Sequence, residues 1–123
     1  MRPSTGTLGR IGEQIAVLHL QACGLVVLDR NWRWMAGGVR GEIDVVARDG
    51  ETLVFCEVKA RRGDGAGSPL AAVTVRKQAQ LRRLALAWLS ATGTRAPSIR
   101  FDVVGVCWPE PGRAEIVHLR EVC

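Results

Sequence analysis

Glu42, Asp44, Glu57 and Lys59 are the residues whose types and spacing could do chemistry. They lie in two strand-like runs on either side of Asp49-Gly50, and Asp-Gly between β-rich runs is a two-residue hairpin signal. With those two residues as the loop, Arg48 faces Glu51. Counting back then sets Asp44 against Phe55 and Glu42 against Glu57. Alternation sends Glu42, Asp44, Glu57 and Lys59 from one face, with Asp44 and Glu57 as diagonal neighbours about 7–8 Å apart. Like charges gathered on a covered face repel and lose solvation, so a cation is expected to neutralise them. Carboxylates and nearby carbonyls suit a hard cation such as magnesium, which takes oxygen ligands at about 2.0–2.1 Å. Lys59 and Lys77 are the two lysines of a chain that otherwise uses arginine for its positive charge. An ammonium is compact and can shift its pKa when buried, which suits a group set against a water or a phosphate oxygen.

The elements that must hold these residues follow from pattern. The opposite hairpin face reads Ile43, Val45, Ala47, Val54, Cys56 and Val58, and the charged face turns apolar at Val46, Leu53 and Phe55. Both faces therefore want cover, which predicts a sheet with helices on both sides. Leu8, Ile11, Ile15, Leu18 and Ala22 recur along one side of a helix over residues 8–23, with Thr7 as N-cap and Gly24 beyond its end. Glu13 in that helix reads by itself as a solvated carboxylate near the positive end of the helix dipole. Residues 25–33 form the first strand, with Leu25 and Val27 on one face, Val26 and Leu28 on the other, and Trp32 closing the core edge. Strand pattern stops after Lys59, and residues 61–69 are glycine-rich and read as a loop. That loop starts beside the carboxylates with Arg61 and Arg62, where it could grip a phosphate backbone or act only as a solvated linker.

A second helix spans about Thr74 to Ala91, with Leu81, Leu84 and Trp88 on one stripe. Lys77 shares that stripe's side, so it either snorkels out or reaches toward an anionic site. Arg76 and Arg83 sit on a neighbouring flank. Residues 99–108 form another strand, whose Arg100 and Asp102 lie on one face and are expected to pair with each other. Residues 116–119 add a short final strand. The architecture is thus α/β, with a mixed central sheet flanked by helices.

Asp44 followed by Glu57-Val58-Lys59 at the end of the next strand resembles the Asp…Glu-x-Lys signature of the restriction-endonuclease-like superfamily. The wider pattern comprises Gly12-Glu13, Gly24, Arg30-Asn31-Trp32-Arg33, Gly41-Glu42-Ile43-Asp44, Val54-Phe55-Cys56-Glu57-Val58-Lys59 and Arg100-Phe101-Asp102. It resembles the YraN-like family of bacterial proteins over most of the chain, and through it the archaeal Holliday-junction resolvases. Ile43 departs from the superfamily pattern, which has Pro before the Asp; that position shapes a turn and ligates nothing.

The resemblance implies a restriction-endonuclease-like core and metal-dependent phosphodiester hydrolysis in nucleic acid, above all branched or otherwise structured DNA. Asp44 and Glu57 would hold Mg2+ or Mn2+ with the Val58 carbonyl. Lys59 would orient or deprotonate a water, or stabilise charge on the phosphate. Glu13 becomes an accessory ligand beside the metal, and Glu42 an outer neighbour. Arg61, Arg62, Arg76 and Lys77 would meet the nucleic acid. Related resolvases are dimers, so a homodimer is implied. A binding module of the same fold that does not cut, or an adaptor, are the rival readings.

The bulk properties fit. The chain has 123 residues, enough for one domain with a real core, and residues 1–7 read as a disordered tail. A net charge of +5 suits a polyanionic partner without requiring one. No apolar run is long enough for a membrane span or a secretory signal. Cys23, Cys56, Cys107 and Cys123 form no CxxC pair and read as reduced thiols of a cytoplasmic protein. His19 and His118 are far apart without zinc spacing, and read as structural or surface residues.

Overall fold

The computed structural model describes residues 5–62 and 73–122. The loop expected over residues 63–69 lies outside the described residues. Seven elements follow in order: α1 (Thr5–Ala22), β1 (Val26–Ala36), β2 (Val39–Asp49), β3 (Thr52–Arg62), α2 (Val75–Thr92), β4 (Ser98–Glu110) and β5 (Arg113–Leu119). The strands form one sheet in the order β1-β2-β3-β4-β5. β3 and β4 run parallel and the other neighbours antiparallel, so the sheet is mixed and the expected α/β architecture is present. α1 starts at Thr5, ahead of the expected Thr7 cap. Among the described residues no helix is long and apolar enough to cross a membrane.

β2 and β3 are covered on both sides, as their apolar character demands. Val45, Ala47, Val54, Cys56, Val104 and Val106 pack with Ala16, Val17 and Leu20 of α1. Val46, Leu53, Phe55 and Phe101 pack with Leu81, Leu84, Ala85 and Trp88 of α2. The Thr74 hydroxyl accepts the Lys77 amide at the start of α2, and Gly93 closes it in the left-handed conformation. The Trp88 indole donates to Asp29 on β1 at 3.0 Å, and Trp32 stacks on Trp34 against the α2-side core.

Three expectations need correction. The hairpin loop is Gly50-Glu51, because Asp49 pairs with Thr52. Gly50 has φ +60° while Glu51 is not among the positive-φ residues, so the turn takes its glycine at the first central position, as type II′ turns do. The register therefore moves by two residues. Face parity survives, but Asp44 loses its expected partner Phe55, which instead faces Val46. Secondly, β3 does not end at Lys59. It runs beside β4 as far as Arg62 opposite Trp108, so Arg61 and Arg62 are strand residues. Thirdly, Ile43 packs on the α2 side although Val45 faces α1, so β2 breaks strict alternation at Asp44. β1 twists at the same level: Asn31, between the pairs Arg30–Val45 and Trp32–Ile43, has φ +52°. Asparagine tolerates that left-handed conformation better than most residues.

α1 crosses β3 so closely that a Cβ on Gly12 would lie 2.6 Å from the Cβ of Ala60. Gly12→Ala should therefore destabilise the protein by about 1–3 kcal/mol, through overpacking against a side chain that cannot swing away. At an exposed helix position the same change would stabilise by up to about 1 kcal/mol. Urea denaturation checks this, and a stabilised variant would show that α1 stands off the sheet.

Candidate active site

The registered pairing of β2 with β3 ends at Val45 and Cys56, so Asp44 and Glu57 are the next residues on each strand. There the Val58 amide donates to the Asp44 carboxylate at 2.8 Å, and a side chain takes over where the ladder pairing stops. The break in alternation turns Asp44 toward α1. Its carboxylate oxygen, one of Glu42 and one of Glu13 lie within 4.8 Å of one another. The expected diagonal pair of Asp44 and Glu57 is thus replaced by a tighter acidic group that Glu57 adjoins.

This group is electrostatically strained. Burial, then the neighbouring Glu57, pushes the Asp44 carboxyl up to about 7 against the lowering effect of the Val58 amide, and Glu13 and Glu42 add to the rise. Burial also raises Glu13, whose hydrogen bond with Asn31 opposes the shift, while Glu42 and Glu57 reinforce it. Glu42 is met on its outer side by Arg33 at 3.3 Å.

Glu57 is nearly buried and has a different environment. Its Oε1 lies 3.4 Å from the Lys59 ammonium and 3.6 Å from that of Lys77. Lys77 thus takes the second of its two expected courses and reaches an anion. The lysines of the chain converge on one carboxylate oxygen, one from β3 and one from α2.

Beyond Lys77 a cleft of about 470 Å³ lies between the start of β2 and the first turns of α2. Its walls carry Arg40, Arg76, Lys77 and Arg83. Pattern reading picked out Arg76 and Lys77 for a polyanion but passed over Arg40, which only the fold brings across from β2. The cleft depends on a close approach at Gly41, where φ is +150° and an added Cβ would meet the Gln80 amide nitrogen at 2.7 Å. That amide donates to the Arg40 carbonyl at 2.7 Å. Arg61 and Arg62 continue β3 two and three residues past Lys59, with Arg62 exposed.

The arrangement is an all-oxygen anionic group whose repulsion is only partly offset, with two lysines beside it and a basic cleft next to one of them. An oxygen-only donor set fits a hard divalent cation, whose charge would relieve the repulsion that raises Asp44.

A family model for an uncharacterised protein family, UPF0102, matches residues 12–106. The chain belongs to that family. A UPF0102 protein of Kineococcus radiotolerans is 52% identical over 116 residues, 94% of this chain and 92% of the relative. UPF0102 proteins of Streptomyces coelicolor and Frankia alni are 48% and 50% identical over 118 and 113 residues. These alignments cover 95% and 92% of this chain and 88% and 91% of the relatives. The UPF0102 match begins at Gly12, where α1 meets β3, and takes in Glu13, Glu42, Asp44, Glu57, Lys59 and the basic cleft. It thereby bears out the YraN-like resemblance, and the names of these relatives state no activity.

The raised Asp44 pKa has a stability consequence. Between about pH 4 and pH 7 the folded protein holds a proton on Asp44 that the unfolded chain has lost, so stability falls as pH rises through that window. The full penalty is on the order of 4 kcal/mol. Asp44→Asn keeps an oxygen for the Val58 amide and removes the charge. With chelator present it should stabilise the protein much more at about pH 8 than at about pH 5. Denaturant unfolding of both proteins at the two pH values measures this, and equal gains would show that Asp44 does not ionise under strain.

Proposed function

We propose that the protein is a divalent-metal-dependent nuclease that hydrolyses phosphodiester bonds in structured or branched DNA, on a restriction-endonuclease-like core. The observation that carries this reading is the acidic group of Glu13, Glu42 and Asp44, next to a Glu57 shared by Lys59 and Lys77. A purely structural role leaves a half-buried carboxylate with a pKa of about 7 unexplained. Asp44 would hold Mg2+ together with Glu57 and the Val58 carbonyl, as the resemblance implies, and Glu13 and Glu42 lie close enough to join them. When bound, the ion would supply Lewis-acid polarisation of the phosphate and a nucleophile at neutral pH.

The chain's own residues would do the rest. The Asp44–Val58 hydrogen bond fixes the first carboxylate on the strand edge. Glu57 holds the two ammonium groups, so that Lys59 can place positive charge on a phosphate oxygen as negative charge grows there. Arg40, Arg76, Lys77 and Arg83 would take neighbouring phosphates along the cleft. They would act as positioning contacts that carry no sequence information, which fits a substrate recognised by shape. Arg61 and Arg62 would meet the strand on the far side of Lys59. A second copy of the chain, if the protein pairs as a dimer, would bring a second such cleft to a branched substrate.

The basic cleft, lined by Arg40, Arg76 and Arg83 as well as Lys77, favours a second reading, a nucleic-acid-binding protein that does not cut. The two separate cleanly. Mg2+ should raise the melting temperature of the wild type and leave that of Asp44→Asn unchanged, and the wild type should cleave four-way or flapped DNA only with metal present. In single-turnover assays Lys59→Ala should lose about 100-fold or more in cleavage while binding changes little. Lys59→Arg should also be poor, because a planar guanidinium replaces a point charge. Absence of metal-dependent cleavage on single-stranded, duplex, flapped and four-way substrates, with tight binding retained, would select the binder.

Affinity for DNA should fall steeply with salt under either reading. Arg76→Ala with Arg83→Ala should reduce the slope of log affinity against log salt by about 2. An unchanged slope would move the nucleic acid off this cleft.

A further inference from the structure

α1 carries a second polar group about 9 Å along its axis from Glu13, at the rise of an α-helix. His19 Nε2 lies 3.1 Å from His118 Nδ1 on β5, and Cys23 Sγ lies 3.7 Å from the same His19 nitrogen. All three donor atoms lie within 4.8 Å of one another. Cys23 directly follows the last residue of α1 and its amide still donates to the His19 carbonyl, which keeps it on the face of His19, and β5 brings the third donor from 99 residues away. Tetrahedral zinc, with nitrogen near 2.0 Å and sulfur near 2.3 Å, separates its donors by roughly 3.3–3.6 Å. The His19–His118 and His19–Cys23 separations lie on either side of that range, and the third pair is within 4.8 Å.

The surroundings supply an independent observation. His118 Nε2 is held by the fully buried Asp102 carboxylate at 2.8 Å, and Asp102 is gripped through both oxygens by Arg100 at 2.9 and 3.1 Å. With its Nε2 proton donated to the carboxylate, His118 presents the lone pair of Nδ1 to His19 and Cys23. A carboxylate behind a ligating imidazole fixes its tautomer and raises its basicity in zinc sites. The Arg100–Asp102 pair thus has a use beyond pairing.

We propose that His19, Cys23 and His118 form a zinc site that clamps the C-terminal turn of α1 to β5. Its donor set selects a borderline-soft cation over magnesium, which the acidic group at the other end of α1 suits better. Three protein donors leave a fourth position for solvent or an added ligand. Thiolate ligation requires the Cys23 proton to leave on binding, and His19 must carry its remaining ring proton on Nδ1.

Cobalt(II) is the probe, because a coordinated thiolate gives a near-ultraviolet charge-transfer band that carboxylate ligation cannot. Protein stripped with chelator is titrated with Co2+ in excess Mg2+, then with Zn2+. Wild type should show the thiolate band, saturating at one equivalent, with Zn2+ abolishing it. Cys23 is exposed, so Cys23→Ser should fold normally by circular dichroism, lose the band and bind Zn2+ about 100-fold more weakly. Asp44→Asn and Cys107→Ser should keep the band. Absence of the band in wild type, its survival in Cys23→Ser, or its loss in Cys107→Ser would overturn the assignment.

Discussion

The Val58 amide hydrogen bond to Asp44 is the contact on which the site depends. It sits where the β2–β3 pairing ends, and it substitutes a side-chain acceptor for the partner strand. A short carboxylate can do this only if its backbone comes close to the neighbouring strand, and that closeness takes Asp44 partly out of solvent. The bond stabilises the ionised form, yet burial and the surrounding carboxylates outweigh it and carry Asp44 to about 7. Removing the bond would relax the strand edge; removing the charge would relax the electrostatics. The two demands meet in one residue.

The rest of the fold supplies opposite charges to that point from opposite faces. α1, on the face of Val45 and Ala47, brings Glu13; α2, on the face of Val46 and Phe55, brings Lys77. A glycine stands at the crossing of each helix. Gly12 lets α1 lie against Ala60, and Gly41 lets α2 lie against β2. Both precede an acidic residue of the site, Glu13 and Glu42, so the chain places each carboxylate directly after a close backbone approach. Positions with so little spare volume transmit small displacements instead of absorbing them.

These relations explain what could be read in advance. The mixed sheet, the two-sided cover, the stripe of α2, the coreward Trp32 and the Arg100–Asp102 pair were legible because each rests on local periodicity or an i, i+2 spacing. The hairpin register was not, because Asp49-Gly50-Glu51 offers two turns and pattern does not choose between a loop with Gly50 second and one with Gly50 first. The length of β3 was misread because Ala60, Arg61 and Arg62 lack hydrophobic alternation; pairing with β4 extends the strand against its own composition. Membership of the acidic group was only half visible. Alternation assigned Asp44 to the face of Glu57, whereas a twist at Asn31 and Asp44 turns it toward Glu13. Arg40 and His118 gave no signal at all, since their partners are set by topology alone.

Glu57 ties the two kinds of charge together. Its Oε1 sits between two ammonium groups, and its negative charge is among the causes that raise both Asp44 and Glu13. A divalent cation drawn to the carboxylates would compete with Lys59 and Lys77 for that oxygen. A polyanion drawn into the basic cleft would compete with Glu57 for Lys77. Each event weakens a contact that restrains the other. Coupling of this kind is reciprocal, so a cation that frees Lys77 from Glu57 must strengthen anion binding in the cleft by the same factor as the anion strengthens the cation. On the proposed function, the shared lysine would make occupancy of the acidic group and of the cleft mutually dependent, with no movement of the sheet required.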